Sequence, residues 1–128
     1  QHIAIVAWIR TVSPSTICFH AANGGLRSKR EAALFKALGV LPGVPDLTLI
    51  CDPPGPALAF LEVKAAGGYL SPEQKAFRAR VEAMGVPYAV VRNIDDVRAI
   101  FREWHVPSRE HEEHQPVIGA RREAMAAA

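Results

Sequence analysis

Val44-Pro-Asp-Leu-Thr-Leu-Ile-Cys-Asp52, a break of five residues, and Leu58-Ala-Phe-Leu-Glu-Val-Lys-Ala65 decide how this chain is read. Both runs are apolar and strand-like, and each has an acid in or beside it, Asp46 and Glu62. Glu62 and Lys64 are two apart, so a strand points both to one face. A hairpin folded symmetrically about Pro54 pairs Ile50 with Leu58 and Asp46 with Glu62. Directly opposed residues stand roughly 5 Å apart between Cβ atoms. Two carboxylates and an ammonium therefore converge at one end of the hairpin. Carboxylates so placed repel each other and favour a divalent cation, and their hard oxygens suit Mg²⁺ or Mn²⁺. Glu62 also interrupts an apolar run, where a buried carboxylate costs on the order of several kcal/mol unless paired or metal-bound. The plainer alternatives are a strand-edge aspartate at Asp46 and a simple ion pair between Lys64 and Glu62.

Working outward, Ile5, Trp8, Ile9 and Val12 recur at helical spacing, which predicts a helix over 2–12 that Ser13-Pro14-Ser15 stops. Residues 16–20 read as a short strand ended by Asn23-Gly24-Gly25. Ser28 to Leu38 is a second helix, with Ala33, Leu34 and Ala37 on one side and Gly39 as terminator. Pro72 to Met84 is a third, with Phe77, Val81 and Met84 facing inward. Tyr88–Arg92 is a buried strand and Ile94–Trp104 a final helix. The order α-β-α-β-β-α-β-α predicts an α/β fold, a mixed sheet flanked by helices. The passage from Val63 through a helix to Tyr88 is a β-α-β crossover, which makes those two strands parallel. Residues 1–105 form one domain on this reading. Residues 106–128 lose apolar periodicity and read as a polar tail, either mobile or a short docking helix.

A chain of 128 residues suits one domain with a real core. Residues 1–100 hold eleven Lys and Arg against eight acids, and residues 101–128 hold four against five. That excess of positive charge favours a polyanionic partner only modestly. Cys18 and Cys51 lie in apolar runs and read as buried free thiols, and no cysteine spacing suggests zinc. No segment reaches the length of a membrane span or has the form of a secretion leader, so a soluble cytoplasmic protein is expected. His105, His111 and His114 sit among acids in the tail without metal-ligand spacing.

The layout Pro45-Asp46…Glu62-Val63-Lys64 resembles the PD-(D/E)XK nuclease superfamily. Four flanking segments narrow the match: His20-Ala-Ala-Asn-Gly-Gly25, Arg27-Ser-Lys-Arg-Glu31, Leu38-Gly-Val-Leu-Pro-Gly-Val-Pro-Asp46 and Leu70-Ser-Pro-Glu-Gln74. Together with the Glu-X-Lys strand they resemble the VRR-NUC family, the virus-type replication-repair nuclease domain found alone in phage and bacterial proteins and fused to larger repair nucleases. The resemblance covers about residues 3 to 100 and implies a restriction-endonuclease-like core. It further implies a Mg²⁺- or Mn²⁺-dependent DNA endonuclease with Asp46, Glu62, Lys64 and Gln74 as catalytic residues. Metal would be held by Glu31, Asp46, Glu62 and the carbonyl of Val63, while Lys64 positions the attacking water.

Glu31 and Gln74 each have a sufficient local reading beside the implied one, because Ser28…Glu31 and Ser71…Gln74 both have the form of capping boxes. Asn23, Gly24 and Gly25 make a turn or hold phosphate. Arg27, Lys29, Arg30 and Lys36 are a solvated basic face or a DNA track, and Tyr69 stacks on a base or caps its loop. His20 reads first as a satisfied strand-end histidine. No major-groove recognition helix is evident, which favours branched or flapped DNA over a sequence-specific cut. The resemblance to Holliday-junction resolvases implies a homodimer acting in DNA repair and recombination, in a bacterial or phage-infected cell. The rivals are a non-catalytic nucleic-acid-binding module or nuclease-like subunit of a replication-repair complex, and a small structural protein whose acids form ion pairs.

Overall fold

The computed structural model describes residues 1–21 and 28–112. Nine elements follow one another: α1 (His2–Val12), β1 (Ile17–His20), α2 (Lys29–Ala37), β2 (Leu47–Ile50), β3 (Ala59–Val63), α3 (Pro72–Ala83), β4 (Tyr88–Val91), α4 (Ile94–Glu103) and the short α5 (Arg109–Glu112). The four strands form one sheet in the order β1-β2-β3-β4. β1–β2 and β2–β3 pair antiparallel, whereas β3–β4 pair parallel across the α3 crossover. This is the mixed α/β sheet expected. The ladder Leu47↔Leu61, Thr48↔Phe60, Leu49↔Ala59 is symmetric about Pro54. One step further along, it sets Asp46 opposite Glu62.

Alternation sorts the sheet into two faces. Cys18, Leu47, Leu49, Ala59, Leu61, Ala89 and Val91 point to the face covered by α1 and α4, whose Ile5, Ile9, Val97 and Phe101 complete the core. Trp8 leans on Phe101 with ring centroids 5.5 Å apart, joining the two helices. α3 covers part of the other face, where Phe77 meets Phe60 edge-on at 5.2 Å. Cys18 and Cys51 are buried free thiols, and burial pushes both upward in pKa. The chain remains packed beyond α4: Val106 is buried in the core, the Ser13 hydroxyl donates to the Pro107 carbonyl, and Arg98 pairs with Glu110 at 2.8 Å.

One expectation about side-chain direction needs correction. Met84, expected to face inward, is 69% exposed, because it is the C-cap of α3 and Gly85, at φ +80°, turns the chain away there. The Leu34 side of α2 faces solvent as well, and no residue of that helix is buried. Residues 113–128, most of the expected tail, lie outside the described residues, as do Asn23, Gly24, Gly25 and Arg27.

Candidate active site

Hairpin pairing brings Asp46 and Glu62 to the same end of the sheet. Pro45 is buried and fixes the entry into β2, so Asp46 sits one residue before the ladder begins. Its Oδ2 accepts a hydrogen bond from the Val63 amide at 2.9 Å, which ties the start of β2 to the end of β3. Glu62 is only 4% exposed. Its Oε1 accepts from the Gln74 amide nitrogen at 3.2 Å, and Lys64 Nζ lies 3.9 Å from the same oxygen. The latter distance is an ion pair rather than a hydrogen bond.

Gln74 reaches Glu62 because the start of α3 is fixed twice. The Ser71 hydroxyl accepts from the Gln74 amide, and Gln74 Oε1 accepts from the Ser71 amide at 2.8 Å, with Pro72 in the first turn. One side chain thus makes both contacts: its oxygen closes the capping box while its nitrogen faces the acid. Gly43 (φ +78°) makes this closeness possible. A Cβ there would stand 2.5 Å from the carbonyl carbon and oxygen of Glu73, so the loop before Asp46 lies directly on the first turn of α3.

Burial, then the neighbouring Asp46, push the Glu62 carboxyl up to about 7, with Lys64 opposing more weakly. Glu62 Oε2 is buried with no hydrogen-bond partner among the described residues. An orphaned carboxylate oxygen beside a second carboxylate is where a cation offsets the most unfavourable charge, so a hard divalent ion fits this donor set. The Tyr88 hydroxyl, on the same sheet face, is likewise buried without a partner, and burial together with the Glu62 charge raises it to about 12. The acids open into a cleft of about 660 Å³ lined by His2, His20, Leu41, Gly43, Ser71 and Gln74, among others.

The other expected residues fall elsewhere. Glu31 is exposed on the first turn of α2, where its amide donates to the Ser28 hydroxyl at 3.1 Å, and it does not line the cleft. Lys29, Arg30 and Lys36 are exposed on the same helix, and Tyr69 is 86% exposed on the loop after β3. Arg92 steadies that loop by donating to the Gly68 carbonyl at 2.8 Å. His20 does have the partner expected of a strand-end histidine, the Asp46 carbonyl at 2.7 Å, but it also lines the cleft. His2 was missed by sequence reasoning. It stands far from the other cleft residues in sequence and belongs to a helix whose pattern speaks only of core.

Among known proteins, the family model for the VRR-NUC domain matches residues 6–93. A solved structure described as a VRR_NUC domain protein superposes with a TM-score of 0.55 at 26% identity. The alignment takes in 68% of this chain and 66% of the other, so the chain spans a little under two thirds of that protein's length. No curated protein matches. Among the described residues no helix is long and apolar enough to cross a membrane. With the family's stretch covering the hairpin, the Asp46–Glu62 pair and the start of α3, this chain belongs to the VRR-NUC family and carries its nuclease-like α/β module.

Proposed function

We propose that the protein is a metal-dependent DNA endonuclease that recognises the shape of branched DNA, four-way junctions among them, and works as a homodimer. The observation that carries the hydrolytic part is the buried Glu62 oxygen without a partner, held beside Asp46 and Lys64. Asp46, Glu62 and the Val63 carbonyl would hold Mg²⁺ or Mn²⁺, with Glu31 as a further ligand if α2 swings toward the cleft. The bound ion supplies Lewis acidity toward a phosphoryl oxygen and acidifies water.

The rest is done by the chain. Gln74 holds Glu62 in its inward position, and the Val63 amide fixes Asp46. Lys64, on the face of β3 that carries Glu62, orients the attacking water and offsets charge as it builds on phosphate. DNA would run along Lys29, Arg30 and Lys36, with Asn23, Gly24, Gly25, Arg27 and Tyr69 as further contacts. The branched substrate, the dimer and the role in repair and recombination rest on the family resemblance.

Cleavage of labelled four-way junction, 5′-flap, duplex and single-stranded DNA with Mg²⁺, Mn²⁺ or chelator tests this reading. Paired nicks in the junction alone, lowered about 10²–10⁴-fold in Lys64→Ala, are expected. Cutting of flaps or plain duplex keeps the nuclease and removes the junction preference. Binding of DNA with no metal-dependent cut of any substrate makes the protein a non-catalytic module.

A further inference from the structure

The cleft contains a second set of donors that the carboxylate pair does not explain. His2 on the first turn of α1, His20 at the end of β1 and Asp46 each offer one ligating atom, and these atoms all lie within 4.8 Å of one another. The two rings meet edge-on with centroids 4.9 Å apart. His20 Nδ1 is 2.7 Å from the Asp46 carbonyl. A carbonyl oxygen can only accept, so Nδ1 carries the proton and donates. In the neutral ring Nε2 then keeps its lone pair. Metal-binding imidazoles are held in this way, with one nitrogen anchored on a carbonyl or carboxylate and the other turned to the ion. Here the anchor is the backbone of the residue whose carboxylate completes the cluster.

We propose that His2, His20 and Asp46 form a site for a borderline transition-metal ion of the Zn²⁺ or Co²⁺ class, beside the hard-ion position and sharing Asp46 with it. Two imidazoles and one carboxylate are ordinary ligands for such ions and poor ones for Mg²⁺, which prefers oxygen. Donors around a tetrahedral ion with bonds of about 2.0–2.1 Å stand about 3.4 Å apart. The donors must draw together by up to about 1.4 Å to reach that spacing. The Val63 amide takes up only one of the lone-pair sites of the Asp46 carboxylate, which leaves acceptor capacity for an ion. His2 precedes the stretch 6–93 matched by the family, so the site joins a strand-end pair within that stretch to a ligand from outside it.

The test uses tag-free protein without DNA, titrated with Co²⁺ and followed by its visible d–d absorption, then with Zn²⁺ by calorimetry. One ion per chain with the strong bands of a tetrahedral, nitrogen-containing site is expected. His2→Ala and His20→Ala should each weaken it by at least about tenfold, while Glu62→Gln retains the bands. His2→Gln serves as a second variant, and thermal melting verifies that each variant is folded. Equal Co²⁺ binding by the folded histidine variants, or only the faint absorption of an oxygen-ligated octahedral ion, overturns the proposal. A protein that binds Co²⁺ in this way yet cuts no DNA keeps this inference and loses the nuclease one. Metal-dependent cutting without imidazole ligation does the reverse.

Discussion

Glu62 makes the metal-free protein sensitive to pH in a direction opposite to that of a salt-bridged acid. Its carboxyl titrates near 4.5 in the unfolded chain and is pushed up to about 7 in the folded one. Between those values the folded state keeps a proton that the unfolded state has lost. The contribution of Glu62 to stability is therefore full below about pH 4.5, falls as pH rises toward 7, and levels off above it, by a few kcal/mol in all. Thermal melts of the metal-free protein should show this decline, and Glu62→Gln should flatten it. Added Mg²⁺ or Mn²⁺ should raise the melting temperature more at pH 8 than at pH 5.5, since only the ionised pair binds metal. Wild type and Glu62→Gln with identical pH profiles would count against this account. The acids themselves were legible because hairpin register is arithmetic. What the sequence could not disclose was the unpartnered oxygen, or the arrival of His2, because both depend on how α1 and α3 settle against the sheet.

Elements were legible where local signals and packing agree. Ser71-Pro72 with Gln74 set the start of α3, Asn93 accepts from the Asp96 amide to start α4, and the periodic residues of α1 do face the core. The reading failed at Met84, where the periodicity of α3 was carried past the point at which the helix ends. Met84 is the C-cap of α3, exposed where Gly85 turns the chain, and α2 likewise leaves its Leu34 side exposed. Phe101 is the side chain on which the helical layer depends, being fully buried and in contact with Trp8 of α1. Phe101→Ala should cost about 3–5 kcal/mol. In urea denaturation this should appear as a lower midpoint with an unchanged slope. A loss under about 1 kcal/mol would mean that α1 and α4 close over the space.

Seen whole, the fold collects its chemistry at one end of the sheet. β1 ends there at His20, β2 begins there after Asp46, and β3 and β4, being parallel, both finish there. α3 and α4 consequently start at that end, and α1 joins them through the His2–His20 contact. Three helix N-termini bring partial positive charge to a region that also holds acids, which suits a polyanion approaching a bound cation. A formal net charge of +2 conveys none of this, because the arrangement is topological. The exposed lysines and arginine of α2 add to that field. Lys29→Ala and Arg30→Ala should each weaken DNA binding for every sequence and lower the salt slope by about one. An unchanged slope in fluorescence anisotropy would take α2 out of the DNA path. The opposite end, made of the Cys51–Leu58 turn, the segment after α3 and the turn after α4, supplies no residue to the cleft. It is therefore a natural handle. Both native thiols are buried and protonated, so Met84→Cys would give the one readily alkylated position among the described residues. A dye or surface linker attached there would hold the molecule by its back, with its working face turned toward the solution.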